Sequence, residues 1–553
     1  MRRILSTGIA LAALVATAQT DPFAQRAPSA PRLAVILVVD QMRADYVDRF
    51  RGEWTAGLKR LVTSGAWFSN AAYPYLHTST CAGHATISTG TFPRTHGAIQ
   101  NEWWDRTEGR VRTCTDDPDT PNIGYVQDAK GGDSARSLGR PTLADRLRAE
   151  RGARVVSLSI KDRSAIMLAG TGEGAVLWHN GSNWITSSAY GATRVPAIEE
   201  YLGAHPVDAY FGQAWTRLLP SLRYHGPDNG EGERPGRGWT ATFPHVLAGG
   251  SDRPDNVFQE QWERTPFADA YLADMAGVLV ERLQLGARDT TDLLAISFSG
   301  TDRVGHEFGP SSQEVEDVLV NLDRSLGRLF DTLDARVGRD QYVVALTGDH
   351  GVTPIAEQLQ RAGKPGGRFD AAIVREAIEK RLQAALGPGK YLAALDGRNL
   401  NVYFQPGVYD TVRSRAGLAN EVAASIMAIP GIRRVLPSET LRDGAQSTDA
   451  LVRAAALSFD PRRSGDLVLV LEPGWVSYDY AAIHWNTASL DDRAVPILLI
   501  GPGVRPGRYR DAATPADVAP TLAALVGVSM PQAEGHALRS ALVAPPAATS
   551  TRP

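Results

Sequence analysis

Five stretches of the chain are aliphatic almost without interruption: Leu33–Asp40 (LAVILVVD), Arg154–Ser159 (RVVSLS), Asp292–Phe298 (DLLAISF), Tyr342–Thr347 (YVVALT) and Val495–Ile500 (VPILLI). A strand with one wet face alternates apolar and polar residues, whereas a continuous run marks a parallel strand buried on both faces. Between several of these runs the apolar spacing becomes helical, as in Gln313–Asp334 and Pro515–Val526. Strands alternating with helices predict an α/β body around a central, mostly parallel sheet, here expected over residues 31–540. Two regions break the rhythm. Residues 180–265 are rich in Gly, Pro, Trp and Tyr and predict an irregular insertion. Residues 355–465 carry their own helices and a strand at 399–404 (NLNVYF) and predict an accessory lobe. The end, 541–553, is expected to be a disordered tail.

The first residues, MRRILSTGIALAALVATAQT, do not fit the α/β pattern. Arg2 and Arg3, a short apolar stretch and Ala16-Thr17-Ala18 have the layout of a cleavable signal peptide over residues 1–18. That stretch is too short to cross a bilayer, and no later segment is a candidate span. The expected location is therefore periplasmic or secreted. A formal net charge of −3 provides no basic surface for nucleic acid or an anionic membrane, so neither is expected as a partner. Export also favours a disulfide between the only two cysteines, Cys81 and Cys114.

Ligands of open α/β sheets collect beyond the carboxyl ends of the strands, so the residues standing there are informative. The first run closes on Asp40. DLLAISFSGTDRVGHEFG supplies Asp302 and, four residues on, His306. YVVALTGDHG supplies Asp349 and His350 between Gly348 and Gly351, and His484 precedes the last run. An Asp or His alone at such a place is ordinary. Three of each together suit a pair of divalent-metal sites, with zinc favoured by the mixed imidazole and carboxylate donors. Lys161 and Arg163 follow the second run two residues apart; on an extended backbone both point to one side, where two cations would hold an oxyanion such as phosphate. Residues 78–90, TSTCAGHATISTG, offer several hydroxyls as nucleophiles, but a hydroxyl needs an activating partner. His84 is expected to be structural or supporting.

In combination these motifs resemble the alkaline phosphatase superfamily, in particular exported bacterial alkaline phosphatases with a threonine nucleophile, relatives of the nucleotide pyrophosphatase/phosphodiesterases. The similarity rests on Asp40 after the first strand, Thr-x-x-Gly-His-Ala-Thr from Thr80, Lys-Asp-Arg-Ser from Lys161, Asp-x-x-Gly-His from Asp302, Gly-Asp-His-Gly at 348–351 and the late His484. The resemblance implies two zinc ions. Asp302, His306 and His484 would hold one; Asp40, Asp349, His350 and the nucleophile Thr80 would hold the other. It also implies that Asn101 bonds a phosphoryl oxygen and that Lys161 and Arg163 take the remaining oxygens. Cys81 then ceases to be a rival nucleophile.

The implied activity is zinc-dependent hydrolysis of small phosphate monoesters through a phosphothreonine intermediate, with release of inorganic phosphate. Charge supports the monoester: two zinc ions balance three aspartates and a threonine alkoxide, and Lys161 with Arg163 then match a dianion. The alternatives are a phosphodiesterase or nucleotide pyrophosphatase of the same superfamily and, more remotely, a non-catalytic exported zinc- or phosphate-binding protein. A sulfatase would carry its Cys or Ser in a Cys/Ser-x-Pro-x-Arg context, whereas Cys81 lies in CAGHA.

Overall fold

Burial of an aliphatic run on both sides is what the strand Leu33–Val39 displays: all seven residues are fully buried. It lies at the middle of an eleven-stranded sheet, between Asp292–Phe298 and Tyr342–Thr347, and is parallel to both. Its register sets Leu33 opposite Asp292 and Tyr342, so the three strands end level with one another. Val155–Ser159 adds in parallel beyond Asp292–Phe298, and Ala175–Asn180 beyond that. The computed structural model describes residues 30–398, 400–484 and 488–543. The expected signal peptide and the tail beyond Val543 lie outside them.

Alternate residues of the central strand face different layers. Leu33, Val35, Leu37 and Val39 pack with the helices Gly57–Ser64, Pro266–Arg282 and Gln313–Arg336. Ala34, Ile36 and Val38 pack with Leu143–Arg151 and Val518–Val526. Helices thus cover both faces of a sheet whose centre is parallel, as the uninterrupted runs require.

Four expectations need correction. Val495–Ile500 contributes Ile497–Ile500, which runs antiparallel to Tyr342–Thr347. The chain re-enters the sheet from His484, at the carboxyl end of the parallel strands, and so runs back against them. Residues 180–187 are not insertion: Asn183–Ser187 is a sheet strand paired antiparallel with Ala175–Asn180. The lobe does not stop at 465. Its four-stranded antiparallel sheet has the order Leu392–Leu395, Asn401–Phe404, Leu467–Leu471, Ile432–Pro437, so LVLVL at 467–471 is one of its two inner strands. At the other end, Leu542 bridges Val504 and Ala541 is buried, which ties residues 541–543 to the body. No helix among the described residues is long and apolar enough to cross a membrane.

Candidate active site

Four adjacent strands deliver the candidate residues to one end of the sheet. In spatial order they are Tyr342–Thr347, Leu33–Val39, Asp292–Phe298 and Val155–Ser159. Asp349 and His350 follow the first of these, Asp40 the second and Lys161 the last. After Asp292–Phe298 the chain turns directly into the helix Gly300–Phe308, which carries Asp302 in its first turn and His306 in its last. The i, i+4 spacing sets both on one helical face, with His306 Nε2 3.1 Å from Asp302 Oδ1.

Ligand atoms converge in two groups. Asp302, His306 and His484 form one, and Asp40, Asp302 and His350 the other, each with its ligand atoms mutually within 4.8 Å. Asp302 therefore belongs to both. Asp349, expected in the second group, lies beside it: its Oδ2 is 3.4 Å from His350 Nε2 and 3.4 Å from His84 Nδ1. The late histidine is fully integrated, its ring stacked 3.5 Å from that of His350.

The three imidazoles are oriented alike. His306 donates from Nδ1 to Ala482 O at 2.9 Å, His350 to Gly351 O at 3.0 Å, and His484 to Thr78 O. A backbone acceptor on Nδ1 makes Nε2 the lone-pair nitrogen and aims it at the cluster, the usual support of a metal-binding histidine. Burial pushes His350 below the ordinary histidine range, and burial with the neighbouring His350 and His306 pushes His484 well below it, the direction that favours a metal-binding ring.

The carboxylates carry the opposite imbalance. Burial raises Asp40 well above the usual range, with Asp302 and Asp349 adding to the effect. Burial acts on Asp302 in the same direction, but the Lys161 ammonium and His306 overcome it and hold Asp302 well below that range. Asp349 is likewise lowered against burial by His350 and His84. Lys161 Nζ bonds Asp40 Oδ2 at 2.5 Å and also Asp302 Oδ2. One ammonium cannot balance three enclosed carboxylates, and buried charge demands compensation. Asp40 Oδ1, Asp349 Oδ2 and His350 Nε2 are buried without a hydrogen-bond partner. Oxygen and imidazole donors, a charge deficit and unmatched ligand atoms together fit divalent cations.

Thr80 opens the helix Thr80–Thr89, whose residues are all buried. Of the hydroxyls before it, Thr78 donates to His484 O at 3.0 Å, and Ser79 Oγ is enclosed without a partner. The next backbone amide, Cys81 N, donates to Asn101 Oδ1 at 2.8 Å, and Cys81 is disulfide-bonded to Cys114. Cys114 N in turn donates to Asn101 O at 2.9 Å. His84 is saturated: Nδ1 donates to Thr80 O and Nε2 accepts from Ser297 Oγ, each at 2.8 Å. It positions the Thr80 turn and has no lone pair left to act as a base.

Lys161 and Arg163 do not lie two apart on one extended strand as expected. Lys161 is extended and precedes the helix Asp162–Ala169, so Arg163 already stands on a helical turn where period two no longer holds. Lys161 faces the carboxylates, while Arg163 lines a cleft of about 120 Å³ together with Asn101.

Residues not singled out from the sequence complete the site. Gln41 has φ 65°, unusual for a residue with a side chain. From that conformation its backbone N donates to Asp349 Oδ1 at 3.0 Å and its Nε2 to Asp302 Oδ1 at 2.9 Å. Such strain gathers at functional sites, but no local pattern in the sequence announces it. His77, buried three residues before Thr80, is pushed down to about 3 by burial and accepts from Gln100 Nε2 at 3.4 Å.

The motif glycines also gain a cause. A Cβ on Gly83 would lie 2.2 Å from Asp349 O, and one on Gly305 would lie 1.9 Å from Gln41 Oε1. Gly83→Ala must displace the Asp349 backbone; displacements near 1 Å at a reacting centre cost about 10²-fold. We expect kcat/KM of Gly83→Ala to fall by about that factor, with circular dichroism showing whether the fold is retained.

This constellation belongs to a known class. The chain is a member of the type I phosphodiesterase/nucleotide pyrophosphatase family, which its residues 34–491 match, and so of the alkaline phosphatase superfamily. Among individual relatives, it is 30% identical over 513 residues to alkaline phosphatase PafA of Elizabethkingia meningoseptica, covering 91% of this chain and 92% of that protein. It is 32% identical over 536 residues to alkaline phosphatase PhoK of Sphingomonas sp, covering 93% and 91%. The crystal structure of wild-type PafA superposes with a TM-score of 0.83 at 28% identity, covering 93% of this chain and 99% of that one. A PafA variant substituted at one threonine, one asparagine, one lysine and one arginine superposes with a TM-score of 0.85 at 27% identity over the same shares.

Proposed function

We propose that this protein hydrolyses phosphate monoesters as a metal-dependent alkaline phosphatase, with Thr80 as nucleophile and two zinc ions as cofactors. The carrying observation is the double cluster around Asp302, three lone-pair imidazole nitrogens and carboxylates in charge deficit, beside a helix that begins at Thr80. Relatives named alkaline phosphatase over nine-tenths of the chain support the same activity.

Asp302, His306 and His484 would hold one zinc, and Asp40, Asp349 and His350 the other, with Asp302 close to both. Bound zinc supplies Lewis-acid chemistry, lowering the pKa of a nearby hydroxyl and stabilising charge on a leaving oxygen. The remaining roles fall to the chain itself. Thr80 Oγ1 attacks phosphorus, the ester oxygen leaves and a phosphothreonine forms; water then releases inorganic phosphate and restores the hydroxyl. The Asn101 side chain, whose Oδ1 is taken by Cys81 N, donates from Nδ2 to a phosphoryl oxygen. Lys161 and Arg163 add the two positive charges that a monoester dianion requires and a diester monoanion does not.

That difference separates the phosphatase from the phosphodiesterase alternative. In a Lys161→Ala/Arg163→Ala double variant, kcat/KM for an aryl phosphate monoester should fall at least about 100-fold more than for the corresponding diester, on the scale of two lost charge-assisted contacts. Equal losses would favour the diesterase. Elemental analysis alongside these assays tests the metals: two zinc ions per chain are expected, and zinc-loaded protein without turnover would point to a binding protein.

A further inference from the structure

The hairpin formed by Glu102–Asp105 and Arg110–Thr113 follows directly on Asn101 and has two unlike faces. Its register sets Glu102 opposite Thr113 and Trp104 opposite Val111, so these four side chains project from one face. Trp103 belongs to the other face and is buried with Cys81 and Cys114. Trp104 is only half-buried and Val111 is 51% exposed, and neither is part of the buried core. Apolar surface rimmed by polar groups beside a reaction site is the usual form of a ligand subsite.

The same face lines two clefts. Glu102 and Thr113 line the cleft of about 120 Å³ that holds Asn101 and Arg163. Trp104 and Val111 line a second, of about 370 Å³, to which the accessory lobe contributes Leu395. Glu102 and Arg398 line both, so the clefts adjoin. Asp479 also lines the second cleft, and the ring of the next residue, Tyr480, lies 5.0 Å from that of His306 in the first ligand group. The second cleft therefore neighbours both the residues assigned to phosphoryl oxygens and the first ligand group. Trp104 supplies an aromatic ring there, and Val111 and Leu395 supply aliphatic surface, which together suit a flat apolar body. Its ionised side chains are Glu102, Asp396 and Asp479 against Arg398, three negative charges to one positive. A group carrying its own negative charge is repelled from such a lining.

Resting on the phosphatase reading above, we infer that the second cleft seats the leaving group of the ester and selects flat, uncharged aromatic groups over anionic ones. An aryl oxide leaves more readily than an alkoxide wherever it is bound, so the test uses phosphonates, which bind as monoester analogues and are not cleaved. As competitive inhibitors of aryl phosphate hydrolysis, naphthylmethylphosphonate should have a Ki at least about tenfold below that of methylphosphonate, the scale of burying one ring. Phosphonoacetate, with a carboxylate in place of the ring, should bind no tighter than methylphosphonate. Trp104→Ala should bring the ratio of the first two Ki values to about one, and Trp104→Phe should keep most of it, because a ring remains. Taking the ratio within each variant cancels general damage to the site. A naphthyl preference that is absent from the unsubstituted protein or undiminished in Trp104→Ala, or tighter binding of phosphonoacetate, would overturn the assignment while the phosphatase reading stands. Absence of both turnover and inhibition by inorganic phosphate would overturn that reading, and the assignment with it.

Discussion

Replacing Thr80 with Ala should reduce kcat/KM for an aryl phosphate monoester at least about 10⁴-fold, the scale on which enzymes lose rate when a nucleophile is removed. Metal content should stay near the wild-type value, because each ligand group brings three carboxylate or imidazole donors together without Thr80. The neighbouring hydroxyls make the test specific. Thr78 is committed to His484 O, and Ser79 Oγ is enclosed. Ser79→Ala should therefore alter turnover by less than about tenfold, the cost of a minor repositioning. If Ser79→Ala caused the larger loss, the nucleophile would be Ser79. If neither variant mattered, covalent catalysis by this segment would be wrong. Steady-state kinetics with elemental analysis of the same samples distinguishes these outcomes.

The second large effect concerns Asp302. Because its carboxylate belongs to both ligand groups, Asp302→Ala should deplete both metals after dialysis, whereas His484→Ala should deplete one. A single lost ligand typically leaves a weakened site, but a shared ligand removes the common wall of two. Turnover by Asp302→Ala should fall at least about 10⁴-fold, to what the uncharged elements of the site retain. Two metals retained in Asp302→Ala would show that the groups are held independently. In that case Asp349, 3.4 Å from His350, would be the stronger ligand of the second group.

Much of this was visible in the sequence, for a physical reason. Continuous aliphatic runs have few uses other than a doubly covered parallel strand, and Asp292–Phe298 and Tyr342–Thr347 were delimited to the residue. Candidate ligands collect at strand ends, and the structure brings Asp40 and Asp302 together there with Asp349 beside them. Strand direction was not legible: the apolar content of Val495–Ile500 is the same whether the strand runs up or down the sheet, and its orientation follows from where the chain last left the body. The strand Leu467–Leu471 was overlooked although LVLVL is as aliphatic as the body strands. Its partners come from a separate lobe with no catalytic motif to draw attention to it. The period-two spacing of Lys161 and Arg163 did not apply because a helix begins between them, and boundaries are the weakest part of any pattern. Gln41 had no signal, since a positive φ at a residue other than glycine is fixed by tertiary contacts rather than by its own identity.

The Cys81–Cys114 bond closes a covalent ring through residues 81–114, and Asn101 lies inside that ring. The ring begins at the residue after Thr80, and Asn101 is bonded to both of its closing residues, through Oδ1 to Cys81 and through its carbonyl to Cys114. The proposed nucleophile and the proposed phosphate-binding amide are therefore joined by a covalent ring and two hydrogen bonds. If Thr80 attacks phosphorus, its distance from the Asn101 amide is thus set by a closed loop of chain that begins at the very next residue.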